Sequence, residues 1–141
     1  PGTWGSLVGV LAVLALSDAA LSTRIVVWSG LAVLGVWATA VFQRTAGRKD
    51  PGEIVVDEVL GMGLVSLFCV DALELPFAFV LFRFFDIIKM FPANHADRLS
   101  KRTGGWVSAF AVQMDDLIAA LQAAAALWFL REHTKILTLL S

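Results

Sequence analysis

From Ile25 to Phe42 the chain runs 18 residues without a charge. That approaches the ~20 mostly apolar residues a helix needs to cross a bilayer. Backbone in hydrocarbon must satisfy its own hydrogen bonds, which restricts the choice to helices or a closed barrel. The apolar/polar alternation of a barrel strand is absent, and the abundant alanine and leucine favour helix. Four further apolar segments read the same way: Trp4 to Leu21, Ile54 to Val70, Leu75 to Ile88, and Val107 to Leu130. The chain is 58% hydrophobic and 16% charged, whereas a soluble domain carries about a quarter charged residues. The expectation is an all-α, polytopic membrane protein of about five short helices, forming one domain over residues 1–141.

The charges divide by position. Arg44 to Lys49 and the stretch Arg98-Leu99-Ser100-Lys101-Arg102 are basic, whereas Asp71-Ala72-Leu73-Glu74 is acidic. The positive-inside rule puts both basic segments in the cytoplasm and the acidic loop outside, with Arg131 and Lys135 counting mildly against an external C-terminus. A net charge of −1 gives no argument for nucleic acid. The single cysteine, Cys69, excludes an intrachain disulfide and a cysteine-rich metal site. The chain opens Pro1-Gly2-Thr3 without methionine, which reads as a boundary with residues expected before it. The short run Leu7 to Leu16 lacks the preceding basic segment of a signal peptide.

Ionisable residues inside apolar segments are costly and mark a functional site or a buried pair. Glu53 and Asp57 are four apart and share one helix face, followed directly by Glu58. Arg83, Asp86 and Lys89 end the fourth apolar segment, and Asp115-Asp116 interrupts the fifth. On the topology above, the acids of three helices gather toward one side of the membrane. Close carboxylates repel unless a cation or a proton intervenes. Oxygen donors without thiolate or imidazole suit a hard ion such as Mg²⁺. Arg83, Lys89 and Arg98 would hold a phosphate, which makes the set suitable for phosphoryl chemistry.

Other phosphate chemistries lack their residues. Leu75 stands where a cysteine phosphatase based on Cys69 would need arginine, and there is neither an Asp-x-Asp pair nor a Gly-x-x-x-x-Gly-Lys-Ser/Thr loop. Structural explanations also compete: an Arg83–Asp86 ion pair, Asp71 and Glu74 as loop or capping residues, His95 and His133 as surface residues, the tryptophans as interface anchors, and Gly61-Met62-Gly63 as a packing notch. Asp50 remains a further member of the acidic set.

The motifs resemble the phosphatidylglycerophosphatase A family over nearly the whole chain. The resemblance rests on Pro1-Gly2-Thr3-Trp4-Gly5-Ser6-Leu7, on Lys49 to Met62, on Phe82 to Lys89, and on Asp97 with Gly104-Gly105 and Met114 to Ala120. It implies a Mg²⁺-dependent phosphatase of the bacterial inner membrane, to which the spans and the positive-inside topology add a multi-pass chain with its site at the cytoplasmic face. Such an enzyme converts phosphatidylglycerophosphate to phosphatidylglycerol and inorganic phosphate. The family's acidic positions fall on Asp50, Glu53, Asp57, Glu58, Asp86, Asp97, Asp115 and Asp116, and its basic positions on Arg83 and Lys89. The assignment is Glu53, Asp57, Asp86, Asp115 and Asp116 to the metal, with Asp57, Glu58, Asp86 and Asp116 as catalytic groups and Glu58 as candidate base. Arg83, Lys89 and Arg98 are assigned to the substrate.

Two departures bear on geometry. Lys89 is followed by Met90-Phe91-Pro92, where the family continues Lys-Pro-x-Pro. The stretch from Gly105 to Asp115 is about one turn longer than usual, and one turn shifts depth by about 5.4 Å. A cation transporter or channel subunit using the same carboxylates is the rival functional reading, followed by a non-catalytic assembly protein.

Overall fold

The computed structural model describes residues 2–47 and 54–133. Six α-helices follow one another: α1 (Gly2–Ala15), α2 (Leu21–Ala46), α3 (Val56–Ser66), α4 (Leu75–Ile88), α5 (Ala93–Arg102) and α6 (Gly105–His133). A single 3-10 turn, Ala72–Glu74, precedes α4, and there is no strand among the described residues. The all-α, membrane-type expectation holds, with a difference in helix length. Two helices are long and apolar enough to cross a bilayer, α2 with 26 residues and α6 with 29. At 1.5 Å per residue they reach about 39 and 43 Å, more than the ~30 Å hydrocarbon core. The other three apolar segments fold as helices of 14, 11 and 14 residues.

Local chemistry sets the ends. Gly47 closes α2 in the left-handed conformation, at φ 64°, which costs glycine nothing. Asp71 accepts hydrogen bonds from the amides of Leu73 (2.9 Å) and Glu74 (3.2 Å), as a capping residue should. Pro76 then opens α4, where a missing N–H is harmless. Lys89 ends α4 at φ 48°, the left-handed region that glycine usually occupies, and its amide returns to the Phe85 carbonyl. The basic segment Arg98 to Arg102 after α4 belongs to the polar helix α5.

α6 packs a small-residue face into the bundle. Ala119, Ala120, Ala123, Ala124 and Leu127 bury against Met62, Val65, Ala78 and Phe82. Gly61 leaves space that the Phe82 ring occupies, and Gly63 does the same for the Trp28 indole. The Gly61-Met62-Gly63 segment is thus the expected packing notch. Trp28 departs from the interface-anchor reading, being only 6% exposed, whereas Trp4, Trp37, Trp106 and Trp128 are all exposed. Ile25, Val26, Val33, Leu34 and Trp37 of α2 also stand exposed. A continuous apolar exterior of this kind fits lipid better than water.

Polar contacts pin the two ends of the bundle. At one end, Arg131 of α6 bonds both carboxylate oxygens of Glu74, at 2.8 and 2.6 Å, and the Phe68 carbonyl at 2.9 Å. Arg24 reaches the Ser66 carbonyl there. At the other end, Gln43 donates to Ser108 and Ser108 to the Ser100 carbonyl, tying α2 to α6 and α5. Arg44 lies over the Trp106 ring, at 5.7 Å. Midway, the Gln113 side chain of α6 fills the space a Cβ would take at Gly35 of α2. Oriented to satisfy its neighbours, its amide donates to the Ala32 carbonyl (3.0 Å) and accepts from Val36 N–H (2.7 Å).

Candidate active site

The acids come from three helices that converge at the end of the bundle carrying Arg44 and α5. Asp57 and Glu58 occupy the first turn of α3, where the helix dipole favours negative charge. Asp116 lies about three turns into α6. One carboxylate oxygen from each of Asp57, Glu58 and Asp116 fits within a sphere of mutual separations no greater than 4.8 Å. Asp57 and Asp116 are buried, at 9% and 4% exposed. The helix from Gly105 thus brings Asp116 within reach of α3.

This trio is poor in internal compensation. Asp57 Oδ1 accepts the Glu58 amide at 3.2 Å. Glu58 Oε2 and Asp116 Oδ2 are buried without a hydrogen-bond partner among the described residues, and so is Asp115 Oδ1. A buried carboxylate oxygen with no donor carries the full cost of its desolvation. Three carboxylates this close repel one another, and a cation among them would relieve the repulsion. The donor set is oxygen alone, which fits a hard divalent ion.

Cations flank the trio. Arg83 pairs with Asp86 one turn along α4, and its Nη1 also meets Ser6 Oγ of α1 at 3.4 Å. Lys89 pairs with Asp115 and lies 3.4 Å from Asp97 of α5. Its left-handed backbone starts the chain's reversal from α4 toward α5. Burial works against the Lys89 ammonium, but Asp115 and Asp97 outweigh it and hold it charged. Burial would likewise raise Asp97, yet a hydrogen bond from Lys101 (2.9 Å) and the charge of Lys89 keep it below its ordinary value.

The expected set is therefore sorted into two kinds. Asp57 and Asp116 meet as expected. Glu58, expected as a base, lies in the same oxygen cluster. Asp86 and Asp115, expected as metal ligands, each engage a cation, so the Arg83–Asp86 ion pair forms as well. Arg98 is exposed on α5. Glu53 and Asp50 lie outside the described residues. Gly2 and Ser6 belong to the site wall, although sequence reading gave them no role. Their signal was membership of a motif that no packing argument required.

Fold and site together define an all-α, membrane-associated protein built around a carboxylate cluster flanked by guanidinium and ammonium groups. The family model of Phosphatidylglycerophosphatase A matches residues 1–131. A curated protein of Haemophilus influenzae (strain ATCC 51907 / DSM 11121 / KW20 / Rd) named "Phosphatidylglycerophosphatase A" is 36% identical over 127 residues, covering 87% of this chain and 74% of that protein. No solved structure matches the chain. The chain belongs to the phosphatidylglycerophosphatase A family and is an enzyme of the phosphatase class.

Proposed function

We propose that the protein hydrolyses phosphatidylglycerophosphate in a Mg²⁺-dependent reaction, giving phosphatidylglycerol and inorganic phosphate. The observation that carries the metal requirement is the Asp57–Glu58–Asp116 trio with its partnerless buried oxygens. Asp57, Glu58 and Asp116 would hold the ion, with Glu53 as a further oxygen donor. A bound Mg²⁺ supplies Lewis acidity toward the phosphoryl oxygens.

The chain's own groups divide the remaining work. Arg83 presents planar donors suited to phosphate oxygens, and Lys89 a point charge. Their partners Asp86 and Asp115 fix them at the site before substrate arrives, reducing the ordering cost on binding. A carboxylate of the trio, with Glu58 as the favoured one, takes the proton of the attacking water. Water's oxygen forms the new P–O bond as the lipid's terminal ester P–O bond breaks, and the proton taken up by the carboxylate passes to the departing glycerol oxygen.

The site lies at the end of the bundle that holds Arg44, Lys101 and Arg102, whereas Asp71 and Glu74 lie at the end where Arg131 closes α6. The positive-inside rule then supports an active site at the cytoplasmic face of the bacterial inner membrane. The test is phosphate release from phosphatidylglycerophosphate by purified protein, with Mg²⁺ and with chelator. Release that persists at full rate in chelator excludes the metal. No release from folded, lipid-accessible protein excludes the substrate.

A further inference from the structure

Ser6 is fully buried on α1, far in sequence from every acid of the site. Its hydroxyl proton is committed to the Gly2 carbonyl, at 3.0 Å. The oxygen's remaining lone pairs are thereby free to accept, and Arg83 Nη1 donates to it at 3.4 Å. The same Nη1 binds Asp86. The guanidinium is thus held between two acceptors from different helices, α4 and α1. A lone i,i+3 ion pair leaves a long side chain rotamer freedom, and a second anchor from another element removes it.

Gly2 gives the second observation. A Cβ there would lie 3.1 Å from both terminal nitrogens of Arg83 and would collide with Glu58 Oε1. The first turn of α1 therefore passes directly against the arginine and one acid of the trio. Any side chain at residue 2 would displace one or the other.

We infer that Ser6 is a positioning residue for Arg83, orienting the guanidinium so that it can meet the substrate phosphate beside the Asp57–Glu58–Asp116 trio. This rests on the phosphatase reading above, because it assigns Arg83 to the phosphate. Ser6 itself acts only through Arg83. Gly2 serves the same arrangement by leaving the approach open.

Steady-state hydrolysis of phosphatidylglycerophosphate and product inhibition by inorganic phosphate, in wild type, Ser6→Ala and Ser6→Cys, test the assignment. Cysteine fills the volume that alanine vacates but replaces the oxygen acceptor with a weak one. Both variants should raise KM and the inhibition constant for inorganic phosphate roughly 5-fold or more, while kcat falls less than about 2-fold, a loss of binding without loss of turnover. The melting temperature of Ser6→Cys should match wild type. An active wild type with both variants unchanged overturns the positioning role and leaves the phosphatase reading intact. Loss of activity in Ser6→Ala that Ser6→Cys restores means a packing role and also overturns it. An inert wild type removes the phosphatase reading and this inference with it.

Discussion

Arg131 Nη2 lies 2.6 Å from Glu74 Oε2, joining the last turn of α6 to the 3-10 turn before α4. Glu74 is 5% exposed, and its carboxylate also accepts from Arg131 Nε and the Val70 amide. Glu74→Gln or Arg131→Ala leaves a charge without its partner, and a loss of about 3 kcal/mol follows. Thermal unfolding in detergent measures it. Variants as stable as wild type would show that the staple is dispensable.

The same pair carries a pH dependence. Burial alone would raise the Glu74 carboxyl, but the Arg131 hydrogen bond, the Val70 amide and the Arg131 charge together outweigh it and hold it below its ordinary 4.5. A carboxylate depressed in the folded state binds fewer protons there than in the unfolded chain. Its stabilisation is complete above pH 4.5 and disappears as pH falls through the lowered folded value. The stability gap between wild type and Glu74→Gln should therefore narrow on acidification below that point. A gap constant from pH 7 to pH 3 would contradict the linkage.

Asp116→Asn removes one charge from the trio and should do two opposite things. Phosphate release should fall at least ~100-fold, because a cation-binding oxygen and its charge are lost. In chelator the variant should melt no lower than wild type, since like-charge repulsion is relieved. Added Mg²⁺ should raise the wild-type melting temperature and move the variant's little. Equal Mg²⁺ stabilisation of both proteins would place the ion elsewhere.

Lys89 and Asp115 form a pair that should be costly to break and cheap to remove. Lys89→Met leaves Asp115 with neither its ammonium nor a donor for Oδ1, whose lack of a partner is already evident. The single variant should lose roughly 2 to 4 kcal/mol, and the double variant Lys89→Met with Asp115→Leu should recover much of that stability while losing activity. Additive losses would mean that the two residues do not interact.

Two glycines separate packing from propensity. Gly63→Leu drives a side chain into the Trp28 indole, whose nearest atom is 2.5 Å from the first added carbon, and should destabilise by more than about 2 kcal/mol. Gly30 on α2 has nothing within 4 Å of an added Cβ. Gly30→Ala should stabilise by up to ~1 kcal/mol through helix propensity alone. A destabilised Gly30→Ala would reveal a contact on that face.

Helical class and the candidate acidic residues were legible in the sequence because both are local signals. An uncharged run such as Ile25 to Phe42 needs no partner to be recognised, nor does an aspartate pair in an apolar segment. Helix lengths were less legible. The segments Ile54 to Val70 and Leu75 to Ile88 have spanning composition, but Asp71 caps a turn between them and helix α3 stops at Ser66. Helix α5 escaped because its residues are mostly polar; it packs against α6, with Asp97 meeting Lys89 and Lys101. The meeting of Glu58 with Asp116 spans dozens of residues and depends on how α3 and α6 pack, which no local spacing encodes. The burial of Trp28 likewise depends on a glycine more than thirty residues away.

Gln113 sits one turn before Asp116, its amide lodged in the Gly35 notch and bonded to the peptide groups of Ala32 and Val36. It acts as a peg in a slot. A long apolar rod can slide along its neighbours at little cost, since one methyl contact replaces another. A slide by one turn here would leave the amide facing side chains instead of a notch, and would strand its hydrogen bonds in a dry interior. Vertical registration of the aspartates is thus fixed from the side, by α2, rather than by the length of helix leading to them. Residues added near Gly105 would then be displaced toward the water, and the depth of the carboxylate cluster is insulated from changes at the far end of the helix.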